Sequence, residues 1–205
     1  MTKRAITSEE ALKRLKEGNS RFVAGQSRQQ ADRYRSQLAD LIGGQHPFAI
    51  ILGCSDSRVP PEIIFDQGVG DLFIVRVAGN IAEPAALGSI EYAAEYLGAR
   101  LIVVLGHASC GAVQAALAQL DSPGQVGSPY LQSILDHIHP AVAALPKVSG
   151  QEPQSVVDEA IGANIRASLE QIGNDSPILK RLMETNDLES VGAQFSLDTG
   201  TVEFM

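Results

Sequence analysis

The most informative segment of the chain is Phe48-Ala49-Ile50-Ile51-Leu52-Gly53-Cys54, and its pattern recurs in Leu101-Ile102-Val103-Val104-Leu105-Gly106-His107. Each segment carries five consecutive apolar residues, as expected of a strand buried on both faces of a parallel sheet. Residues 72–77 form a third apolar run, and residues 90–97 carry apolar side chains at helical spacing. This alternation of strand and helix predicts an α/β fold with a mostly parallel β-sheet flanked by helices.

Helix and hairpin signals lie on both sides of this core. Thr7 and Glu10 have the spacing of a capping box, which predicts a helix that begins after Thr7. Residues 130–145 and 156–172 have the apolar periodicity of amphipathic helices. Residues 191–204 suit a terminal hairpin, because two short apolar runs flank an Asp-Thr-Gly turn.

Length and composition favour one domain overall. The 205 residues are 44% hydrophobic and 20% charged, which is apolar enough to bury a core of ordinary size. Within this unit we expect an N-terminal helical arm over residues 1–40 and an α/β domain over residues 41–205.

The charge balance bears on the partners of the protein. Sixteen Lys and Arg residues stand against 24 Asp and Glu residues, for a formal charge of -8. This acidic balance argues against a nucleic acid or an anionic membrane as a partner. The first residues lack the apolar stretch of a signal peptide, and no segment approaches membrane-spanning length, which predicts a cytoplasmic protein.

Metal-capable side chains follow both central strands. Cys54 and His107 each come directly after an apolar run and a glycine. Ligands of open parallel sheets bind beyond the carboxyl ends of the strands, so these two side chains converge if their strands are neighbours. Cys110 reaches the same point if a turn or helix begins at His107. Two thiolates and an imidazole select zinc, and three protein ligands leave one position open, as in catalytic sites.

Asp56 and Arg58 lie close to this predicted zinc site. On an extended backbone, residues 54, 56 and 58 point the same way, which places the carboxylate near the metal. Arg58 would keep Asp56 ionised and fix its direction. Zinc lowers the pKa of bound water to roughly 7 in favourable sites. Two thiolates weaken that effect, so a carboxylate that accepts a hydrogen bond from the water becomes useful.

Each of these features has a plainer interpretation. A single cysteine at the end of a buried strand is more often a small core residue. Asp56 and Arg58 could form an ion pair that stabilises a loop. Only the combination of two cysteines, one histidine and the charged pair favours a zinc-binding catalytic domain over residues 41–205.

Two separated blocks of sequence resemble the signature of the β-class carbonic anhydrases. They are residues 54–62 and 106–111, and residues 73–80 and 89–93 between them also match the family pattern. The resemblance implies one zinc ion per subunit, bound by Cys54, His107 and Cys110, with Asp56 and Arg58 as the catalytic dyad. It also implies reversible hydration of carbon dioxide to bicarbonate and a proton, by attack of zinc-bound hydroxide.

The same resemblance implies a substrate pocket and an oligomer. Gln45 matches a glutamine that binds substrate or bicarbonate, Phe73 and Tyr92 match apolar pocket residues, and Gly111 matches a glycine whose amide receives an oxygen of the anion. Gln45, Phe73 and Tyr92 would come from the neighbouring subunit, in a homodimer or a homotetramer. The N-terminal helix would extend over the partner subunit; the alternative is that it packs on its own domain.

Two regulatory features of the family can be compared with this chain. Members controlled by a second bicarbonate carry Trp three residues before the first cysteine, where this chain has Ile51, so we do not expect that control. A closed state, in which Asp56 leaves Arg58 and becomes a fourth zinc ligand, is a hypothesis suggested by the adjacency of the carboxylate to the metal.

Two alternative functions stay open at this point. An enzyme of the same fold could hydrolyse carbonyl sulfide or carbon disulfide, which are linear and apolar like carbon dioxide. A non-catalytic zinc protein could act as a scaffold, although a structural site has no use for an oriented carboxylate beside an open position.

Overall fold

The fold is organised around a five-stranded sheet in the order β2-β1-β3-β4-β5. A computed structural model describes residues 6–28, 37–122, 124, 127–146 and 152–205. The strands are β1 (Ala49–Gly53), β2 (Leu72–Arg76), β3 (Leu101–His107), β4 (Glu189–Phe195) and β5 (Val202–Phe204). The first four strands are parallel, and β5 pairs with β4 in the antiparallel direction. The predicted mostly parallel sheet and the terminal hairpin are therefore confirmed.

Helices surround this sheet. They are α1 (Ser8–Val23), α2 (Pro61–Ile64), α3 (Pro84–Glu95), α4 (Gly111–Asp121), α5 (Pro129–Ala143), α6 (Pro153–Asp175) and α7 (Pro177–Glu184), with a 3-10 turn at Ala78–Asn80. Residues 37–40 are also helical. The helix predicted over residues 156–172 begins earlier because Pro153 occupies its first turn, where a missing amide hydrogen does no harm. None of the described helices has both the length and the apolar composition needed to cross a bilayer.

The two faces of the sheet pack against different helices. Ile50, Leu52, Ile102 and Val104 belong to a cluster shared with α3 through α7. Their neighbours on the same strands, such as Ile51 and Val103, belong to a second cluster shared with α1 and α2. Successive side chains of a strand point to opposite faces, so a strand covered on both sides needs an uninterrupted apolar run.

Helix α1 packs on its own sheet. Thr7 caps it by accepting a hydrogen bond from the Glu10 amide, as predicted, while the Glu10 carboxylate pairs with Arg14. Ala11 and Leu15 are fully buried against the second cluster. Helix α1 therefore packs on its own domain, and its extension over a partner subunit stays a prediction. The division at residue 40 into an arm and a domain stays a prediction.

The chain connections diverge at the centre of the sheet. From β1 the chain passes to β2 on one side, whereas from β3 it passes to β4 on the other. The neighbouring carboxyl ends of β1 and β3 therefore form the switch point at which open α/β sheets bind ligands. Gly53 lies beside Leu105 in the register, which brings the residues that follow each strand together.

Candidate metal centre

Three metal-capable side chains meet at this switch point. Cys54 follows β1, His107 is the last residue of β3, and Cys110 is the residue that precedes α4. Their ligand atoms all lie within 4.8 Å of one another, and all three residues are buried. In the part of the chain that the structure describes, this is the one group of such residues that could hold a metal ion.

The turn after β3 brings Cys110 back toward His107. Ser109 adopts a left-handed conformation with φ of 55°, and Cys110 is extended before the first residue of α4. His107 therefore belongs to the strand, and a turn rather than a helix delivers Cys110 to the cluster. The sequence left both alternatives open, because a spacing of three residues fits either one.

The imidazole of His107 is oriented for a metal ion. Its Nδ1 lies 2.9 Å from the carbonyl oxygen of Ala108, which can only accept a hydrogen bond, so Nδ1 carries the proton. Nε2 therefore has a free lone pair. This buried atom has no hydrogen-bond partner among the described residues. A polar atom left in this way within a core calls for a ligand, and a metal ion supplies one.

The two thiols fit the same ion. Cys54 Sγ and Cys110 Sγ are 4.0 Å apart and are free thiols. Tetrahedral zinc with Zn–S bonds of about 2.3 Å would separate two sulfur atoms by about 3.8 Å. The hydrogen bond from Cys110 lowers the pKa of Cys54 to about 4. The same bond, with burial, raises the pKa of Cys110, so the two sulfur atoms share a proton that a cation would replace.

The Asp56 carboxylate faces this cluster. Its Oδ2 lies 3.9 Å from His107 Nε2 and accepts a hydrogen bond of 2.7 Å from Arg58 Nη2. Its Oδ1 accepts from the backbone amide and Nε of Arg58. The Arg58 side chain holds the pKa of Asp56 below its usual range. The structure thus shows Asp56 paired with Arg58, and the closed state with Asp56 on the metal stays a hypothesis.

The backbone around Asp56 differs from the extended segment that we expected. The chain turns at residues 57–58, and the Val59 amide bonds to the Asp56 carbonyl at 3.1 Å. The turn forms because Asp56 Oδ1 accepts the amide hydrogen of Arg58, two residues on, which is a local bond that Asp favours. Arg58 therefore reaches Asp56 by folding back rather than by strand alternation.

Arg76, at the end of β2, is a residue of the site that sequence reasoning missed. Its Nε donates to the Cys54 carbonyl at 2.9 Å, and its Nη2 donates to the Asp56 carbonyl at 2.5 Å. One guanidinium thereby holds the segment that carries both the first cysteine and the carboxylate. The sequence signal that could have identified Arg76 is a single charged residue at the end of an apolar strand.

Three of the four predicted pocket residues lie apart from this cluster. Gln45 is exposed and precedes β1, whereas Cys54 follows it, so a strand length of about 15 Å separates them. Phe73 pairs with Ile50, near the amino end of the sheet. The ring of Tyr92 lies 6.3 Å from that of Phe73, and Tyr92 is 48% exposed. Gly111, by contrast, is exposed directly beside Cys110 as the first residue of α4.

Comparison with known proteins matches this chain to one family. The carbonic anhydrase family profile matches residues 49–202. "Carbonic anhydrase 2" of Mycobacterium tuberculosis is 42% identical, over 93% of this chain and 89% of its own length. A carbonic anhydrase of Mycolicibacterium smegmatis is also 42% identical, over 94% of this chain and 91% of its own length.

Solved structures agree with these relatives. The β-carbonic anhydrase CcaA superimposes with a TM-score of 0.75 at 30% identity, over 94% of this chain and 86% of its own. A tetrameric β-carbonic anhydrase of Sordaria macrospora gives a TM-score of 0.72 at 28% identity, over 89% of this chain and 90% of its own. Matched in sequence from β1 to β5 and in fold over nearly its whole length, the chain belongs to the β-class carbonic anhydrases.

Proposed function

We propose that Cys54, His107 and Cys110 hold one zinc ion per subunit, and that Asp56 and Arg58 act beside it in catalysis. As a carbonic anhydrase, the chain is a lyase that interconverts carbon dioxide and bicarbonate. The observation that carries the proposed site is the buried Nε2 of His107, which faces two free thiols and lacks a partner among the described residues.

The donor set suits zinc. Thiolate and imidazole ligands favour zinc over the oxygen-binding cations calcium and magnesium. A zinc ion held there supplies a water acidified toward neutral pH, which is the nucleophile that this hydration requires. The remaining steps depend on how the side chains of this chain bind and orient that water and the substrate.

The Asp56 carboxylate can accept a hydrogen bond from a water molecule held at the metal. Three hydrogen bonds from Arg58 fix both carboxylate oxygens, and Oδ2 is the one turned toward the cluster. A carboxylate kept ionised by Arg58 can accept a hydrogen bond but cannot donate one. It would therefore hold a hydrogen of that water toward itself and leave an oxygen lone pair directed away from Asp56.

The substrate pocket would be completed by a second copy of the chain. Gln45, Phe73 and Tyr92 are distant from the cluster of their own chain, and Tyr92 is half exposed although it is aromatic. We infer that they contribute to the cluster of a neighbouring subunit, while Gly111 offers its amide to the bicarbonate from the same chain. The Sordaria protein is a tetramer, which supports a homodimer or homotetramer here.

A cytoplasmic location is also proposed. Both cysteines are free thiols committed to the metal cluster, as suits a reducing compartment. The acidic charge of -8 supports the further inference that neither nucleic acid nor an anionic membrane is a partner.

Stopped-flow hydration of carbon dioxide, measured together with metal content, tests the proposal. We expect one zinc ion per chain, and metal loss with loss of activity in Cys110→Ser. Asp56→Asn should keep its zinc and lose activity by about 100-fold or more, because the oriented acceptor is gone. Zinc retention with unchanged activity in that variant would contradict the role given to Asp56.

The same protein preparation distinguishes carbonic anhydrase activity from the two alternative functions. Turnover of carbonyl sulfide with negligible hydration of carbon dioxide would favour a hydrolase of the same fold. Bound zinc without turnover of carbon dioxide, carbonyl sulfide or carbon disulfide would favour a scaffold.

A further inference from the structure

Helix α6 buries two polar side chains on a face that is otherwise apolar. Asn164 is 2% exposed and Ser168 is 3% exposed, and they lie four residues apart on the same side of the helix. Ile161, Ile165 and Ile172 on this helix are also buried in the core cluster. Asn and Ser are rarely buried this completely, because their burial costs free energy unless their polar atoms form hydrogen bonds.

Both side chains bind the short turn at Ala78–Asn80. Asn164 Nδ2 donates to the Gly79 carbonyl at 2.7 Å, and Ser168 Oγ donates to the Asn80 carbonyl at 3.0 Å. Gly79 and Asn80 have φ of 71° and 46°, so two successive residues are left-handed. For a residue with a side chain this conformation is costly, and it persists only where the surroundings fix it.

The same turn reaches the metal cluster. The Gly79 amide donates to Cys54 Sγ at 3.3 Å. The carbonyl of this residue is thus held by α6 while its amide is held by the sulfur. A Cβ at position 79 would lie 2.8 Å from Ile138 Cδ1 and 3.2 Å from Ala112 Cβ, so the turn packs tightly and only Gly fits.

We propose that Asn164 is a positioning residue for the metal centre, which together with Ser168 fixes the Gly79–Asn80 turn and thereby the N–H···S bond to Cys54. This inference rests on the proposed function, since it requires a metal ion on Cys54. An N–H donor directs the sulfur and draws charge from it, so it sets how strongly that sulfur donates to the metal. Groups that orient a metal ligand in this way typically change metal affinity by about 10–100-fold when removed.

The test compares Asn164→Asp and Ser168→Ala with a matched control, Asn19→Asp. Asn19 is also buried and also donates through Nδ2 to backbone carbonyls, those of Ile64 and Gly200, but it lies in the packing of α1. In each Asn→Asp change, a carboxylate oxygen replaces the donor and faces a carbonyl. A purely structural effect should therefore be similar in both variants.

Two readouts report on the sulfur rather than on folding. One is the thiolate-to-metal charge-transfer absorption of the cobalt(II)-substituted protein, and the other is the rate at which zinc passes to a chromogenic chelator. We expect Asn164→Asp to shift that absorption and to release zinc about 10-fold faster or more. Ser168→Ala should change both in the same direction by less, and Asn19→Asp should match the wild type in both.

Wild-type absorption and zinc release in both Asn164→Asp and Ser168→Ala would overturn the inference. Equal changes in Asn19→Asp would also overturn it, because the effect would then follow general destabilisation. If Asn164→Asp does not fold, the comparison of Ser168→Ala with Asn19→Asp tests the inference instead. If the wild-type protein binds neither zinc nor cobalt, the proposed metal site itself fails and this inference fails with it.

Discussion

The ionised state of Asp56 is stabilised mainly by one neighbour, Arg58. Three hydrogen bonds of 2.7–3.0 Å connect the two residues. The side-chain bonds are the largest cause of the lowered pKa of Asp56, and burial acts in the opposite direction. The carboxylate therefore stays ionised as pH falls below the ordinary range for Asp, and it can still accept a hydrogen bond there.

Arg58→Gln should raise the pKa of Asp56 toward the ordinary value of about 3.9, because the main stabilisation of the charged form is removed. The variant carboxylate is then protonated at a higher pH than in the wild type, so its acceptor role is lost earlier on acidification. Carboxyl-carbon NMR titration of the zinc protein measures the midpoint. Arg181→Gln, which removes a 2.7 Å ion pair with Glu95, is the control, and equal midpoints in all three proteins would refute this effect.

The sequence was sufficient to predict that Cys54 and His107 meet at the ends of the two central strands. The strand-end position of Cys54 and His107 is a consequence of burial pattern and parallel topology, both of which can be predicted from the order of apolar residues. Arg76 and Asn164 could not be found in this way. They act on backbone carbonyls 22 and 85 residues away in the chain, and such contacts leave no local motif.

At the scale of the elements, the two glycines that precede Cys54 and His107 look equivalent in sequence but are not equivalent in packing. A Cβ on Gly106 would lie 2.6 Å from Ile165 Cδ1 and 2.8 Å from its Cγ1. A Cβ on Gly53 would meet Pro61 Cγ only at 3.8 Å. Gly106 thus allows α6 to approach β3 closely, which also brings Asn164 within reach of the turn at Ala78–Asn80.

Gly106→Ala should lower the free energy of unfolding by about 1–3 kcal/mol, because a methyl group is forced into the α6 packing. Gly53→Ala should change it by well under that amount. Urea denaturation of the two variants and the wild type measures the difference. Equal stability of the two variants would show that Ile165 moves aside without loss.

At the scale of the whole molecule, each predicted active site draws on both ends of the sheet. Cys54, His107, Cys110 and Asp56 lie at the carboxyl end, and Gln45 lies beyond the amino end. A rigid single chain cannot bring these groups together, so the proposed pocket requires two chains that approach with opposite ends of their sheets adjacent. The sequence alone could not establish this separation, because it depends on strand direction and register.

Mixed oligomers of Asp56→Asn and Gln45→Ala subunits test the arrangement. Each variant alone should be nearly inactive, whereas subunit exchange in an equal mixture should restore about a quarter of wild-type activity, since half of the dimers are hybrids with one intact site of two. Carbon dioxide hydration before and after exchange measures the gain. A mixture of Asp56→Asn with Cys110→Ser should restore nothing, because both lesions lie in the same half-site. Hybrids that form without any gain would show that Gln45 does not complete the site of a neighbouring subunit.

Hydrogen bonds and an ion pair hold the carboxyl end of helix α1 to the rest of its own chain. Asn19 makes hydrogen bonds to Ile64, Gly200 and Val202, and Arg21 pairs with the fully buried carboxylate of Asp66. Exchange of this helix between copies by domain swapping would break all of these bonds and separate a buried ion pair. Subunits should consequently join as preformed rigid bodies, and assembly should proceed at a rate set by encounter rather than by local unfolding.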